Sequence, residues 1–281
     1  MRGSSRKHSV PTSHGSLSVE ERGQGGLPLV LIHGNSSSRQ VFRHQLHGPL
    51  AERHRLITFD LPGHGESSNA PDPKRSYTRP GLADAAIELL EKLRVTEAIV
   101  FGWSLGGHIG IEMVPRFSGM RGLMITGSPP VAYKDMARGF NVSPHTGLMG
   151  KQKLSEAAID MFLEAVYGKA ADRFFRAAMI RTDGHFRSTL FEGARAGDGV
   201  DQRLVVETSA VPLAVVNGGA DRVVKLNYFE TISYRNLWER RCHRLDGLGH
   251  APFWEAPDIF DPVLERFLND VESALPRTYG L

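Results

Sequence analysis

Residues 98–113 read AIVFGWSLGGHIGIEM. A short apolar run, 99–101, leads into the pattern Gly-x-Ser-x-Gly around Ser104, and a segment of helical character follows. This pattern is typical of a nucleophile elbow, a sharp turn between a buried strand and a helix that lifts one serine hydroxyl above the edge of a sheet. Gly102 and Gly106 flank Ser104 where the two backbones come close, so a Cβ atom at either position would obstruct the turn. The stretch therefore predicts a strand, a strained serine and a helix.

Similar apolar runs recur along the chain and alternate with amphipathic segments. Uninterrupted runs such as Leu29–Ile32 are typical of parallel strands that are buried on both faces, and the alternation favours a doubly wound α/β sheet. Residues 16–21 are expected to form an edge strand. The further predicted strands are 28–33, 55–61, 122–126, 212–217 and 242–245, and the predicted helices are 39–53, 77–93, 228–234 and 258–275.

The alternation stops between Pro130 and Val211, for about eighty residues, which is far longer than an ordinary connection. Apolar residues in this segment recur at helical spacing, for example Ile159, Phe162 and Val166. We predict that residues 131–209 form a helical cap, or lid, and that residues 1–130 and 210–281 form the core.

Bulk composition excludes several classes of protein. Lys and Arg total 34 against 31 Asp and Glu, and the basic residues are scattered, which argues against a nucleic-acid partner despite a pI near 9.1. The single cysteine, Cys242, cannot form an internal disulfide, and the chain has no Cys/His pair at metal-ligand spacing, so no metal or cofactor is expected. We expect a monomer, although the sequence does not determine the oligomeric state.

The beginning of the chain is basic but lacks the apolar core of a secretory signal. Residues 1–4 are interpreted as the remnant of a tag or as a disordered lead, and the sequence leaves open whether residues 1–15 are native or in part a tag. No apolar run approaches the ~20 residues of a membrane-spanning helix. The sequence therefore predicts a cytoplasmic protein that does not bind membranes.

Nucleophilic catalysis by a serine requires a base within hydrogen-bond reach and a third group that fixes the tautomer of that base. Asp221 and His250 each follow a predicted strand, and their order after Ser104 is the order of serine, acid and histidine in elbow-containing folds. The carboxyl ends of parallel strands share one edge of a sheet, so the three side chains can converge there. Alternatively, Asp221 caps the following helix, and His250 is an ordinary member of the 12 histidines. The other candidate acids lie in less suitable places: Asp198, Asp201 and Asp246.

A tetrahedral intermediate also needs hydrogen-bond donors for its oxyanion. Elbow-containing folds supply the N–H that follows the nucleophile and one N–H from an early loop, which are Leu105 and Asn35 in this chain. Candidate substrate contacts are Trp103, beside the serine, and Phe162 in the cap. His33 is interpreted mainly as a structural residue, like His64, with a possible substrate contact.

Four motifs together resemble enzymes of the α/β-hydrolase fold: His33-Gly34-Asn35-Ser36-Ser37-Ser38, Asp60-Leu61-Pro62-Gly63-His64-Gly65, Gly102-Trp103-Ser104-Leu105-Gly106-Gly107-His108 and Gly249-His250-Ala251-Pro252. The resemblance covers nearly the whole chain. It implies a mostly parallel eight-stranded sheet flanked by helices, with a helical cap inserted after the sixth strand.

A narrower resemblance, to the N-acylhomoserine lactonases of this fold, is carried by the stretches 101–113, 120–127, 181–184 and 214–218. It implies a metal-independent lactonase with Ser104, Asp221 and His250 as the triad and Asn35 and Leu105 as oxyanion donors. The chain departs from this family twice: Asp221 stands where the family has a glutamate, and Phe162 stands near a cap tyrosine of the family.

Other functions compatible with these residues are a carboxylesterase or carbon–carbon bond hydrolase with the same triad, and a receptor that binds a lactone without hydrolysing it. Haloalkane dehalogenases and epoxide hydrolases of this fold are disfavoured, because they have an aspartate where this chain has Ser104.

Overall fold

The structure is a computed structural model that describes residues 5–131, 135–141 and 150–275. Eight strands in these ranges form one sheet in the spatial order β1-β2-β4-β3-β5-β6-β7-β8. The first two strands run antiparallel to their neighbours and β3 to β8 are mutually parallel, which confirms the predicted fold. The strands are β1 (Arg6–Thr12), β2 (Gly15–Arg22), β3 (Leu29–Ile32), β4 (Leu56–Phe59), β5 (Ala98–Trp103), β6 (Met120–Thr126), β7 (Leu213–Gly218) and β8 (His243–Leu245).

The start of the chain contains a strand that the sequence analysis does not predict. Arg6–Thr12 pairs with β2 in continuous register, whereas residues 1–4, interpreted as a tag remnant or a disordered lead, lie outside the described residues. The segment predicted as the edge strand, 16–21, consequently lies inside the sheet, between β1 and β4. Val10 is the one residue of β1 that is buried, so the strand is stabilised by its backbone ladder rather than by an apolar face. Side-chain patterns carry almost no signal for such a strand.

The central strands are buried on both faces, as their uninterrupted apolar runs predict. Every residue of β3, β5 and β7 is buried. Helices pack on both sides of the sheet, and the described part of the chain contains no helix long and apolar enough to cross a membrane. The helices of the described residues are α1 (Arg43–His47), α2 (Leu50–Arg53), α3 (Pro73–Ser76), α4 (Arg79–Lys92), α5 (Leu105–Met113), α6 (Met136–Gly139), α7 (Glu156–Tyr167), α8 (Arg173–Arg181), α9 (Gly184–Ala196), α10 (Gln202–Thr208), α11 (Leu226–Phe229), α12 (Pro252–Glu255) and α13 (Pro257–Ala274).

Two predicted helices are shorter than their apolar spacing indicates. The segment 39–53 is a 3₁₀ turn followed by α1 and α2, because Gly48 and Pro49 interrupt the run. The helix predicted at 228–234 is the single turn α11. The helices α6 to α10 follow β6 in the chain, where the cap was expected. The division into a core and a cap at 131–209 stays a prediction, and residues 132–134 and 142–149 of it lie outside the described residues.

A buried ion pair holds the loop that follows β4 against the loop that follows β3. Arg39 and Asp60 are 1 % and 0 % exposed, and the Arg39 guanidinium donates to both the Asp60 and the Glu66 carboxylates. The Asp60 carboxylate also accepts from the backbone N–H groups of Arg39 (2.7 Å) and Glu66 (2.8 Å). Such a carboxylate fixes two turns at once.

Replacing Asp60 removes the fully buried partner of Arg39 and two acceptors of backbone N–H groups, and leaves the guanidinium with the largely exposed Glu66 and with Glu20 at 3.7 Å. We expect Asp60→Ala to lower the free energy of unfolding by about 3–5 kcal/mol, measured by urea denaturation. The control is Glu265→Ala, which removes the partner of the half-exposed Arg53 and is expected to cost about 0–1 kcal/mol. Equal losses in the two variants would contradict the assignment of the Asp60 pair as the more important contact.

Candidate active site

Ser104 has a backbone conformation that L-residues rarely adopt, with φ 54° and ψ −118°. It stands between the last residue of β5 and the first residue of α5. Its N–H donates to the Thr126 carbonyl (2.8 Å) and its carbonyl accepts from the Gly107 N–H (3.0 Å). The turn is therefore bonded on both sides, which maintains a strained backbone at this position.

The flanking glycines are required by close backbone contacts. A Cβ at Gly102 would lie 2.3 Å from the Gly106 carbonyl oxygen, and a Cβ at Gly106 would lie 1.9 Å from the Ile32 carbonyl oxygen. A Cβ at Gly107 would lie 2.2 Å from Ser128 Oγ. These contacts press α5 against β3 and β5, which is the geometry of the predicted elbow.

His250 and Asp221 form a buried pair on the same edge of the sheet. The distance between His250 Nδ1 and Asp221 Oδ2 is 2.8 Å, and both side chains are almost inaccessible to water. Asp221 Oδ1 accepts from the N–H groups of Val223 (2.7 Å) and Val224 (3.2 Å). The helix that follows begins only at Leu226, so Asp221 fixes a turn and orients the imidazole rather than capping that helix.

Neighbouring residues also hold His250, one at its backbone and one at its ring. Trp103 Nε1 donates to the His250 carbonyl oxygen (2.9 Å). Gly127, at φ 65°, packs so close that a Cβ there would lie 2.5 Å from the ring. If Nδ1 donates its proton to Asp221, Nε2 is left as the acceptor, which is the tautomer that a general base requires.

A small pocket brings together most of the predicted site residues. It has a volume of about 10 Å³, room for about one water molecule, so a chain attached to a reacting group must extend beyond it. Val166 and Val223 are lining residues that sequence reasoning missed. Val166 was detectable, because it lies one helical turn after Phe162 on the same apolar stripe. The lining residues are Asn35, Trp103, Ser104, Phe162, Val166, Val223 and His250.

The two predicted oxyanion donors both lie close to Ser104: Leu105 follows it in the chain, and Asn35 lines the same pocket. Leu105 is the first residue of α5, where an N–H has no acceptor within the helix. Asn35 is 6 % exposed and its side-chain Nδ2 is buried without a hydrogen-bond partner among the described residues.

His33 and His64 lie beside the pocket but use their ring nitrogens elsewhere. His33 Nδ1 donates to the Gly34 carbonyl oxygen (2.8 Å) and its Nε2 accepts from the Leu61 N–H (3.0 Å). His64 bonds the Pro62 carbonyl oxygen (3.1 Å) and the Ser36 N–H (3.3 Å) in the same way. Burial lowers the pKa of both imidazoles, so they are neutral near pH 7. They join two loops, and His33 has no ring nitrogen free for a substrate.

Groups of three or more His, Cys, Asp or Glu side chains placed to hold a metal are absent from the ranges that the structure describes. The groups that the structure does bring together at this edge are a serine, a buried imidazole–carboxylate pair and backbone donors. This set can support nucleophilic attack on a carbonyl carbon.

The family model of the alpha/beta hydrolase family matches residues 29–262. The chain belongs to this family. The prediction that it is a hydrolase is thereby confirmed, and the resemblance to N-acylhomoserine lactonases is confirmed by solved structures of the N-acyl homoserine lactonase AidH. One of them, complexed with N-butanoyl homoserine, has a TM-score of 0.94 and 43% identity and covers 98% of this chain and 100% of that chain.

Curated relatives of this hydrolase are more distant. The magnesium-chelatase 30 kDa subunit of Rhodobacter capsulatus is 33% identical to this chain, and the match covers 80% of this chain and 81% of the length of that subunit. The pimeloyl-[acyl-carrier protein] methyl ester esterase of Stenotrophomonas maltophilia is 26% identical over 92% of this chain and 98% of its own.

The contact between Gly127 and the imidazole can be tested with a matched pair of glycines. We expect Gly127→Ala to displace the His250 ring and to lower kcat of this hydrolase on an ester substrate roughly 10- to 100-fold. Gly197→Ala is the control, because Gly197 has a similar φ of 86° but nothing within 4 Å of a Cβ. Both variants lose roughly 1–2 kcal/mol of stability from backbone strain. An equal loss of kcat in the two would show that strain, rather than the imidazole contact, is responsible.

Proposed function

We propose that the protein is a metal-independent serine hydrolase that opens the lactone ring of N-acyl-homoserine lactones. Ser104 Oγ attacks the ring carbonyl carbon while His250 Nε2 accepts its proton. The tetrahedral intermediate collapses with cleavage of the ring C–O bond, and His250 returns the proton to the departing oxygen. The resulting hydroxyl stays in the acyl group, which is bound to Ser104 as an ester.

The second half of the reaction uses the same groups. A water molecule gives its proton to His250 as its oxygen attacks the Ser104 ester. The ester bond then breaks and Ser104 recovers its proton from His250. N-acyl-homoserine leaves as the carboxylic acid and gives its remaining proton to the solvent, which yields the carboxylate. The backbone N–H groups of Asn35 and Leu105 stabilise the oxyanion in both steps, and each such donor is typically worth about 10²- to 10³-fold in rate.

The observation that carries this proposal is the combination of a strained serine and a buried imidazole–carboxylate pair in a chain 43% identical to a lactonase over nearly its full length. Other structures of that lactonase are a serine-to-glycine mutant with N-hexanoyl homoserine lactone and a glutamate-to-glycine mutant with N-hexanoyl homoserine.

The two departures from the family can be weighed against the geometry. Asp221 is one methylene shorter than a glutamate, yet its carboxylate lies 2.8 Å from His250, so the shorter side chain suffices. Phe162 lines the pocket without a hydroxyl, so a hydrogen bond from this position to a lactone is absent. Polar recognition of the substrate then depends on other residues.

Substitution of the triad tests the assignment of roles. We expect Ser104→Ala to lower kcat by about 10⁴-fold or more, and Asp221→Asn to lower it by about 10⁴-fold because the imidazole tautomer is lost. Asp246→Asn, at an exposed aspartate, serves as the control and should retain wild-type kcat. Ring opening is followed by pH-stat titration. Wild-type rates in Ser104→Ala or in His250→Ala would refute the mechanism.

A carboxylesterase is the second candidate, because the apolar side chains that surround Ser104, namely Trp103, Phe162, Val166 and Val223, carry no group specific for a lactone. A substrate panel separates the two functions. We expect kcat/KM to be higher for acyl-homoserine lactones of four to ten acyl carbons than for 4-nitrophenyl esters of the same acids, and to be unchanged by EDTA.

Preference for the simple esters over every lactone would demote the proposal to an esterase. Inhibition by EDTA would contradict metal independence. Stoichiometric binding of a lactone without turnover would instead support the receptor function.

A further inference from the structure

The side chain of Asn35 is a buried donor that the proposed mechanism does not use. The mechanism needs only its backbone N–H, whereas its Nδ2 is buried without an acceptor among the described residues, in a side chain that lines the pocket with Ser104. A buried N–H without a partner costs about 1–3 kcal/mol, so such a group in a binding pocket points to an acceptor on the ligand.

Neighbouring hydrogen bonds fix the orientation of this carboxamide. Arg187 Nη1 donates to Ser36 Oγ (3.0 Å), and Ser36 Oγ lies 2.8 Å from the carboxamide of Asn35. In the structure Ser36 Oγ accepts from Arg187 and donates its own proton to Asn35 Oδ1. This arrangement leaves Nδ2 as the atom of the carboxamide without a partner among the described residues.

Arg187 belongs to α9, in the segment between β6 and β7, and it is itself firmly held. It is 4 % exposed, and its guanidinium also donates to the carbonyl oxygens of Lys151 (2.8 Å) and Gln152 (3.0 Å). Ser36 is fixed from the other side by the contact of its N–H with His64, at a strained φ of 55°. A chain of hydrogen bonds thus runs from α9 to the loop beside the nucleophile.

We propose that Asn35 Nδ2 donates to the acyl amide oxygen of the substrate, and that Arg187, acting through Ser36, is the positioning residue that presents it. This inference rests on the proposed function. In an N-acyl-homoserine lactone the amide nitrogen is attached to the carbon next to the ring carbonyl. When the ring carbonyl oxygen occupies the backbone donors of Asn35 and Leu105, the amide oxygen is the other strong acceptor within a few bonds.

The proposal makes selectivity for the amide the quantity to measure. The substrates are N-hexanoyl homoserine lactone and α-heptyl-γ-butyrolactone, which has a hydrocarbon chain of equal length in place of the acylamino group. For each variant we take the ratio of kcat/KM for the amide lactone to that for the hydrocarbon lactone. A merely structural defect lowers both values and leaves this ratio in place.

We expect Asn35→Ala, which keeps the backbone N–H, to lower the ratio roughly 10- to 100-fold. Arg187→Met should lower it at least about 5-fold, and Arg187→Lys should recover part of it. Arg176→Met is the control, because Arg176 is a partly exposed arginine of α8 that pairs with Glu156 and Asp160. Its ratio should equal that of the wild type.

Ser36→Ala provides an independent test should Arg187→Met not fold, since it breaks the same chain while leaving the other bonds of Arg187 intact. An unchanged ratio in Asn35→Ala would overturn the amide contact. A lowered ratio in Asn35→Ala with an unchanged ratio in Ser36→Ala would overturn the positioning by Arg187.

Failure of the proposed function has a different signature, namely that the wild type opens neither lactone. The same variants are then compared on methyl N-hexanoylglycinate and methyl nonanoate, an ester pair that differs by the same amide. A lowered ratio in Asn35→Ala on this pair supports the Asn35 contact in an esterase, and an unchanged ratio refutes it.

Discussion

The close apposition of α5 to β3 and β5 is the constraint on which the site depends. At Gly102 and Gly106 there is no room for a single additional carbon atom, since a Cβ would overlap backbone oxygens. This packing forces the chain to reverse within one residue, and Ser104 takes the strained conformation at the turn. The cost of the strain is met by burial of the strand and helix on either side, where nearly every residue is inaccessible to water.

The sheet supplies the partners of the serine because its strands are parallel. β5, β7 and β8 all point the same way, so Ser104, Asp221 and His250 follow strands that end at one edge. Burial strengthens the contact between the imidazole and the carboxylate, as both are removed from water. Convergence of distant residues is therefore a property of the topology, and loop geometry provides only the final adjustment.

Much of this could be predicted from the sequence, because strand burial and turn chemistry are local signals. The apolar runs locate β3 to β8, and the glycines around Ser104 locate the elbow. The first strand was missed because an exposed edge strand needs only a backbone partner, and no apolar pattern records that. The sequence also predicts that Ser104, Asp221 and His250 each follow a strand. It does not predict the roles of Ser36 and Arg187, because these roles depend on a contact between segments about 150 residues apart.

The loop that contains Asn35 is organised by neutral hydrogen bonds and one ion pair rather than by apolar packing alone. His33 and His64 can accept from the backbone of Leu61 and Ser36 only while each ring has a free lone pair. Desolvation, which lowers the pKa of both rings, is thus what makes them usable as acceptors. The same burial that forms the sheet keeps these imidazoles uncharged, and through them it fixes the loop from which Asn35 faces the nucleophile.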